Sequence, residues 1–214
     1  MANQKRLDEM YMRQAYNAAE LSHATRKKVG AMLVIQNEGR FEGVNGTPSG
    51  FDNNPEFLAH HDWAFIVDDT YECRFCKEIR NRKDAMAAVG PCPLNLKTKD
   101  ICLHAESNAI MKVACSHASS IGGTMYCTLT PCLECAKLII QAKITRVVYS
   151  EQYPYATHTG VERPLGLKLL EDAGIVVDQL DMTGTLCHYD MRQPHAHQDE
   201  GLHNATEDLY NSYE

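Results

Sequence analysis

No apolar run in the sequence approaches the ~18 residues needed to cross a bilayer. The first twenty residues, MANQKRLDEMYMRQAYNAAE, contain no apolar core segment and are not read as a signal peptide. Basic charge is also scarce: 21 Lys+Arg against 28 Asp+Glu leave a formal net charge of −7. That charge and a single tryptophan, Trp63, argue against a long nucleic acid as partner for the chain. A local basic pocket for one small phosphate remains open to it. No internal repeat is present. What is left is an ordinary globular composition, 44% hydrophobic and 23% charged. Its 214 residues suffice for one domain with a sizeable core.

Cysteine breaks this plainness, with nine in the chain. A secreted disulfide scaffold is usually shorter, even in Cys and preceded by a signal peptide. The expectation is therefore a cytoplasmic protein with reduced thiols, in which clustered Cys and His hold metal.

Residues 6–23 carry Leu7, Met10, Tyr11, Ala15, Ala18, Ala19 and His23 on a helical stripe. Val29–Ile35 reads as a buried strand, Asn37–Gly39 as a turn and Arg40–Val44 as its pairing strand. Asn45–Gly50 is a loop by composition. Residues 51 to about 101 are the least regular part. Beyond them helices at His104–His117, Cys132–Ala142 and Val161–Ala173 alternate with strands at Thr124–Leu129, Arg146–Ser150 and Ile175–Leu180. That alternation predicts an α/β layered domain. The domain is expected to end at residue 181. The polar, acidic tail 182–214, with His188, His195, His197 and His203, reads as weakly structured or packed on a partner.

Two segments carry the chemistry, Leu103-His-Ala-Glu106 and Thr130-Pro-Cys132-Leu-Glu-Cys135. Cys132 and Cys135 are one helical turn apart, so both sulfurs can face one point. Thr130 suits a helix N-cap and Pro131 the first helical position, which places both thiols in the first turn. The positive end of the helix dipole there favours thiolates, the form that binds zinc. His104 supplies a third ligand. Three protein ligands leave one position of a tetrahedral zinc open, the pattern of a catalytic site. Water in that position is acidified towards neutral pH. Glu106, two residues beyond His104, is placed to handle protons without being a ligand. A lone C-x-x-C is common in structural zinc sites and a lone H-x-E carries little. Here they occur in order, with 28 residues from His104 to Cys132 and a strand leading into the second.

The combination H-x-E…P-C-x-x-C resembles the signature of zinc-dependent base deaminases. The loop Asn45-Gly-Thr-Pro-Ser-Gly50 sharpens this, as do Glu106–Ile110, Cys135–Ala142 and Tyr149–Tyr153. Together these are similar to the deoxycytidylate (dCMP) deaminase family over residues 5 to about 180, interrupted at 51–101. The resemblance implies a three-layer α/β/α cytidine-deaminase-like fold with a mostly five-stranded mixed sheet. It implies deamination of dCMP to dUMP and ammonia, supplying thymidylate synthesis. Water adds to C4 of the cytosine ring; Glu106 takes the water proton, protonates N3 and helps the amino group leave. Deamination of dCTP or of a 5-substituted dCMP is the near alternative, and a tRNA or single-strand base deaminase the more distant one. A non-catalytic zinc-stabilised module would have little need for Glu106.

Carried over residue by residue, substrate binding falls to Asn45 at the deoxyribose hydroxyl, Tyr153 beside sugar and base, and Ala105 and Thr130 next to the metal ligands. Arg26 and Lys28, from the only basic triplet, are candidates for the 5′-phosphate, although such triplets are usually solvated. Gly46, Thr47 and Gly50 belong to a loop that in several relatives reads dCTP, with Mg2+, as activator and dTTP as inhibitor. Its glycines either cradle phosphates or only make the turn. Cys115 stands where regulated relatives can carry arginine, and if that arginine binds the effector, control is weakened or absent here; Lys143 stands where relatives often have glycine, which reads as a surface change. A structural zinc held by Cys73, Cys76, Cys92 and Cys102 is also implied, with His60 or His61 as substitutes for one ligand. Free, partly buried thiols are the alternative. Cys127 reads as core. Family members form homo-oligomers, commonly hexamers.

Overall fold

The apolar run Gly30–Ile35 forms strand β1, and the elements that position the site are arranged around it. The computed structural model describes residues 2–88, 90–153 and 164–182. The expected tail therefore lies outside the described residues from 183 onward, with Cys187 and its four histidines. β1 pairs antiparallel with β2 (Gly39–Val44) on one side and with β8 (Thr124–Leu129) on the other. β9 (Arg146–Glu151) and β10 (Val176–Gln179) continue the sheet in parallel, giving five strands in the order β10-β9-β8-β1-β2. Parallel neighbours need crossovers, and helix α4 (Leu133–Gln141) makes the one from β8 to β9. α5 (Leu165–Asp172) lies on the way from β9 to β10.

Side chains alternate across the sheet. Ala31, Leu33, Ile35, Met125, Cys127, Val147 and Tyr149 face α4, α5 and helix α3 (Ala105–Ala114), which contributes Ala105, Ala109 and Val113 to the same core. The opposite face is covered by α1 (Ala2–Ala19), whose Met12, Ala15 and Ala19 are buried. The expected three-layer α/β/α arrangement with a mixed five-stranded sheet is thus present. Two glycines let the helices approach this closely. A Cβ on Gly30 would lie 1.9 Å from the carbonyl oxygen of Ala15, and one on Gly43 would lie 1.9 Å from that of Ala105. Gly43 therefore sets how tightly α3, with the residues at its start, seats on β2. Among the described residues no helix is long and apolar enough to cross a membrane.

The stretch from 51 to about 101 is more regular than its sequence suggests. It holds a two-stranded sheet, β3 (Glu56–His60) with β7 (Pro91–Thr98), and a three-stranded sheet of β4 (Trp63–Phe65), β5 (Thr70–Cys73) and β6 (Ile79–Asn81). A short helix, α2 (Arg82–Ala87), follows β6. These strands are short and largely solvent-facing, so they lack the apolar alternation by which a strand is read. Helix starts also differ from expectation. α4 begins at Leu133, and its N-cap is Cys132 rather than Thr130. The Thr130 N–H instead extends the strand pairing by donating to the Glu151 carbonyl at 2.9 Å, which holds it in the sheet.

Candidate active site

Backbone pairing brings the two motifs together. Gly46 and Leu103 exchange hydrogen bonds of 3.0 and 2.8 Å, which fixes the chain immediately before His104. His104 is the N-cap of α3, extended at φ −85° and ψ 157°, and its ring turns towards α4. The Asn108 side chain donates to the Val44 carbonyl at 2.7 Å and ties the first turn of α3 to β2. Opposite, Cys132 caps α4, its sulfur accepting the Cys135 N–H at 3.5 Å. The Cys132 and Cys135 sulfurs stand 3.3 and 3.4 Å from His104 Nδ1.

Electrostatics follow from this crowding. Hydrogen bonding from the Cys135 thiol, with His104 beside it, holds the Cys132 thiol down to about 3. The Cys135 thiol is pushed up, first by its partner Cys132 and then by burial. The adjoining Cys132 sulfur raises His104. Glu106 is 4% exposed, and burial pushes its carboxyl above the ordinary range. Its Oε2 accepts from the Cys135 thiol at 3.6 Å. The three donor atoms lie within 4.8 Å of one another. Two sulfurs and an imidazole nitrogen in one cluster suit zinc, and three such ligands leave a coordination position open. A buried carboxyl with a raised proton affinity beside such a cluster is suited to take and return a proton.

Other expected site residues fall into place unevenly. Asn45 is engaged within the fold: its Oδ1 accepts from Ser22 Oγ at 2.7 Å and from the Val29 N–H at 2.8 Å, while Nδ2 donates to the Lys27 carbonyl at 3.0 Å. One amide hydrogen remains for a ligand. Thr130 Oγ1 accepts the Tyr153 N–H at 3.1 Å, which draws the half-exposed Tyr153 alongside the start of α4. Ala105 is buried at the first turn of α3. Lys28 Nζ donates to the Glu20 carbonyl at 3.2 Å, and Arg26 Nη1 to Thr98 Oγ1 at 3.1 Å. The Gly46 N–H is spent on Leu103, so it is closed to a phosphate; Thr47 Oγ1 donates to the Asp52 carbonyl at 2.6 Å, and Gly50 takes a left-handed φ of 92°. Cys115 is the exposed C-cap of α3, and Cys127 is core.

A second cluster forms in the insertion, from His61, Cys73, Cys76 and Cys92, whose ligand atoms also lie within 4.8 Å of one another. Cys102 is not among them. Its place next to the Gly46–Leu103 pairing keeps it at the core end of the insertion, where its thiol points to the Leu103 carbonyl at 3.6 Å. His61 stands in its stead, Nδ1 3.4 Å from the Cys76 sulfur, with the Trp63 ring stacked on it at 5.0 Å. Burial pushes the Cys73 thiol up, but N–H groups of Cys76 and Phe75 and the His61 ring outweigh it and hold the thiol at about 6. Glu56 has no signal in the sequence, yet its buried carboxylate accepts the N–H groups of Thr25 and Arg26 at 2.7 and 2.8 Å.

The comparisons with known proteins agree in kind. The family model for the cytidine and deoxycytidylate deaminase zinc-binding region matches residues 5–151. Deoxycytidylate deaminase of Enterobacteria phage T4 is 33% identical over 181 residues, covering 76% of this chain and 84% of that protein. The Saccharomyces cerevisiae enzyme of the same name is 30% identical over 176 residues, covering 82% of this chain and 45% of that protein. A crystal structure of dCMP deaminase from the cyanophage S-TIM5, in complex with dCMP and dUMP, is similar with a TM-score of 0.57 at 29% identity. It spans 82% of this chain and 97% of that one. On its zinc-ligand cluster, its sheet order and these matches, the chain belongs to the cytidine and deoxycytidylate deaminase family, whose members are hydrolases of C–N bonds.

Proposed function

We propose that this chain converts dCMP and water to dUMP and ammonia. The observation that carries the reading is the convergence of His104, Cys132 and Cys135 beside the buried Glu106, in a chain that resembles along most of its length an enzyme crystallised with that substrate and product. His104 Nδ1 and the two sulfurs would hold zinc, which supplies acidified water next to the ring. Glu106 does the proton work. Its carboxylate accepts a proton from the attacking water, delivers it to N3 of the base, and assists departure of the amino group as ammonia. Asn45 offers its remaining amide hydrogen to the sugar hydroxyl, and Tyr153 a ring wall with a polar tip. Arg26 and Lys28 supply charge for the 5′-phosphate.

The test is turnover of dCMP by the zinc-replete protein, followed by loss of cytosine absorbance. Robust dUMP formation with deoxycytidine a much poorer substrate supports the reading. Zinc-bound protein inert to dCMP overturns it, and dCTP, 5-substituted dCMP and tRNA are then the substrates to try. Saturation curves with dCTP and Mg2+, or with dTTP, test the effector role of the loop at Thr47 and Gly50. Light scattering tests the homo-oligomer, hexameric by family resemblance. dUMP supply for thymidylate synthesis and a reducing, cytoplasmic setting belong to the same reading.

The insertion cluster is proposed as a structural zinc site held by His61, Cys73, Cys76 and Cys92. Four protein ligands close the coordination sphere, which orders a segment with little core of its own. Metal analysis is expected to give two zinc ions per chain, and one in Cys92→Ser with the His104 site still loaded. A single zinc in the unaltered protein overturns the second site.

A further inference from the structure

The insertion leaves and rejoins the core through β3 and β7, where Glu56 stands directly opposite Thr98. A carboxylate at the first position of a short strand ordinarily sits in water. Glu56 does not: it is 3% exposed. Oε2 accepts the N–H of Thr25 at 2.7 Å and Oε1 that of Arg26 at 2.8 Å. Two successive N–H groups converging on one anion form the kind of cradle that elsewhere takes a phosphate. Here the chain fills it with its own side chain, so the cradle serves to fix the backbone.

The opposite member of the pair grips the same residue by its other end. Thr98 Oγ1 accepts from Arg26 Nη1 at 3.1 Å. The neighbouring Lys27 Nζ pairs with Glu151 at 2.8 Å. Asn45 pins the segment beyond by holding the Lys27 carbonyl and the Val29 N–H. Gly46, the next residue, pairs with Leu103, which precedes the metal ligand His104. The segment 25–29 is thus fastened on one side to the insertion and on the other to the backbone that presents the zinc ligand.

We propose that Glu56 and Thr98, the cross-strand pair at the root of the insertion, are positioning residues that aim Arg26 at the 5′-phosphate of the substrate. This rests on the reading of the chain as a deaminase of a nucleoside monophosphate. The insertion then does more than carry a metal cluster, because its first and last paired residues set the site's preference for a phosphorylated substrate.

The test compares kcat/KM for dCMP and for deoxycytidine in the unaltered protein, Glu56→Gln, Thr98→Val and Arg26→Ala. A glutamine presents one acceptor and one N–H₂ where two acceptors are needed, so the Arg26 backbone loosens. The expected result is an about tenfold fall in the preference for dCMP over deoxycytidine in Glu56→Gln, carried by KM for dCMP. A smaller fall is expected in Thr98→Val. Adding Glu56→Gln to Arg26→Ala should bring little further loss, since both act through one contact. An equal fall on both substrates would mark Glu56 as merely structural. An unchanged preference in Glu56→Gln and Thr98→Val, while Arg26→Ala lowers it, overturns the positioning role alone. An unchanged preference in Arg26→Ala removes the phosphate role of Arg26 and this inference with it, and absent dCMP turnover in the unaltered protein sinks the substrate reading itself. Should Glu56→Gln not fold, Thr98→Val carries the comparison.

Discussion

Glu106 shows how much a single position depends on its surroundings. The residue starts a helix, where a carboxylate is ordinarily favoured by the dipole and well ionised. Here burial against the sheet raises its proton affinity, while the Cys135 thiol supplies a hydrogen bond to Oε2. In the proposed reaction Glu106 carries the proton and is not a metal ligand. Glu106→Gln keeps the shape and removes the exchangeable proton. Deamination of dCMP is expected to fall about a thousandfold in kcat, within the range that general acid–base groups contribute. Zinc content and thermal stability should stay near those of the unaltered protein. Activity surviving within a few fold, measured by the same absorbance change, would take the proton relay away from Glu106.

Helix ends carry information that the helices' apolar faces do not. α4 and α5 finish with the same hydrogen-bond pattern. After α4, the Ile144 N–H returns to the Ile139 carbonyl at 3.3 Å and the Lys143 N–H to Ile140 at 3.0 Å. After α5, the Ile175 N–H returns to Leu170 at 3.0 Å and the Gly174 N–H to Glu171 at 2.9 Å. Both ends place one residue in the left-handed region: Gly174 at φ 79° and Lys143 at φ 58°. Glycine is the residue such an end prefers, and a side chain there costs about 1–2 kcal/mol. Lys143 is exposed, as its sequence suggests, but its left-handed backbone has no signal there. Lys143→Gly relieves the strain but frees the unfolded chain, which offsets part of the gain. A net stabilisation of about 1 kcal/mol is expected, seen as a rise in Tm of about 2–4 °C for a chain of this size. An unchanged or lower Tm would show that the lysine stem makes up for the strain.

In the whole molecule, legibility follows sequence separation. The clustered Cys132 and Cys135 can be read because one helical turn relates them, and His104 with Glu106 because two residues do. The fourth member of the insertion cluster depends on the register of short strands, which no alternation of side chains announces, and so His61 rather than Cys102 completes the group. A long-range brace is equally silent in the sequence. Asp8 on α1 is buried and accepts from both Arg146 Nη1 and Nη2 on β9, at 2.8 and 2.9 Å, and from the Tyr126 hydroxyl on β8 at 2.7 Å. Arg146 Nε reaches on to Asp178 of β10 at 2.8 Å. One ion cluster thus ties the N-terminal helix across three strands of the sheet. Burial pushes the Asp8 carboxyl up, but the hydrogen bonds from Arg146, Tyr126 and Gln4 outweigh it and hold the carboxyl below its ordinary 3.8. A group depressed in the folded state contributes stability that is present above its unfolded pKa and is lost as pH falls through the folded value. Removing one partner of such a buried pair costs about 3 kcal/mol. Asp8→Asn should therefore be less stable by about that amount in urea at neutral pH. The gap to the unaltered protein should narrow as the pH drops below about 4, because the wild-type carboxylate is then being neutralised as well. Comparing the two proteins at each pH cancels the acid effect on the His/Cys clusters, which both share. A gap that stays constant through the acid range would mean that Asp8 acts through packing and neutral hydrogen bonds, with its charge contributing nothing to the brace.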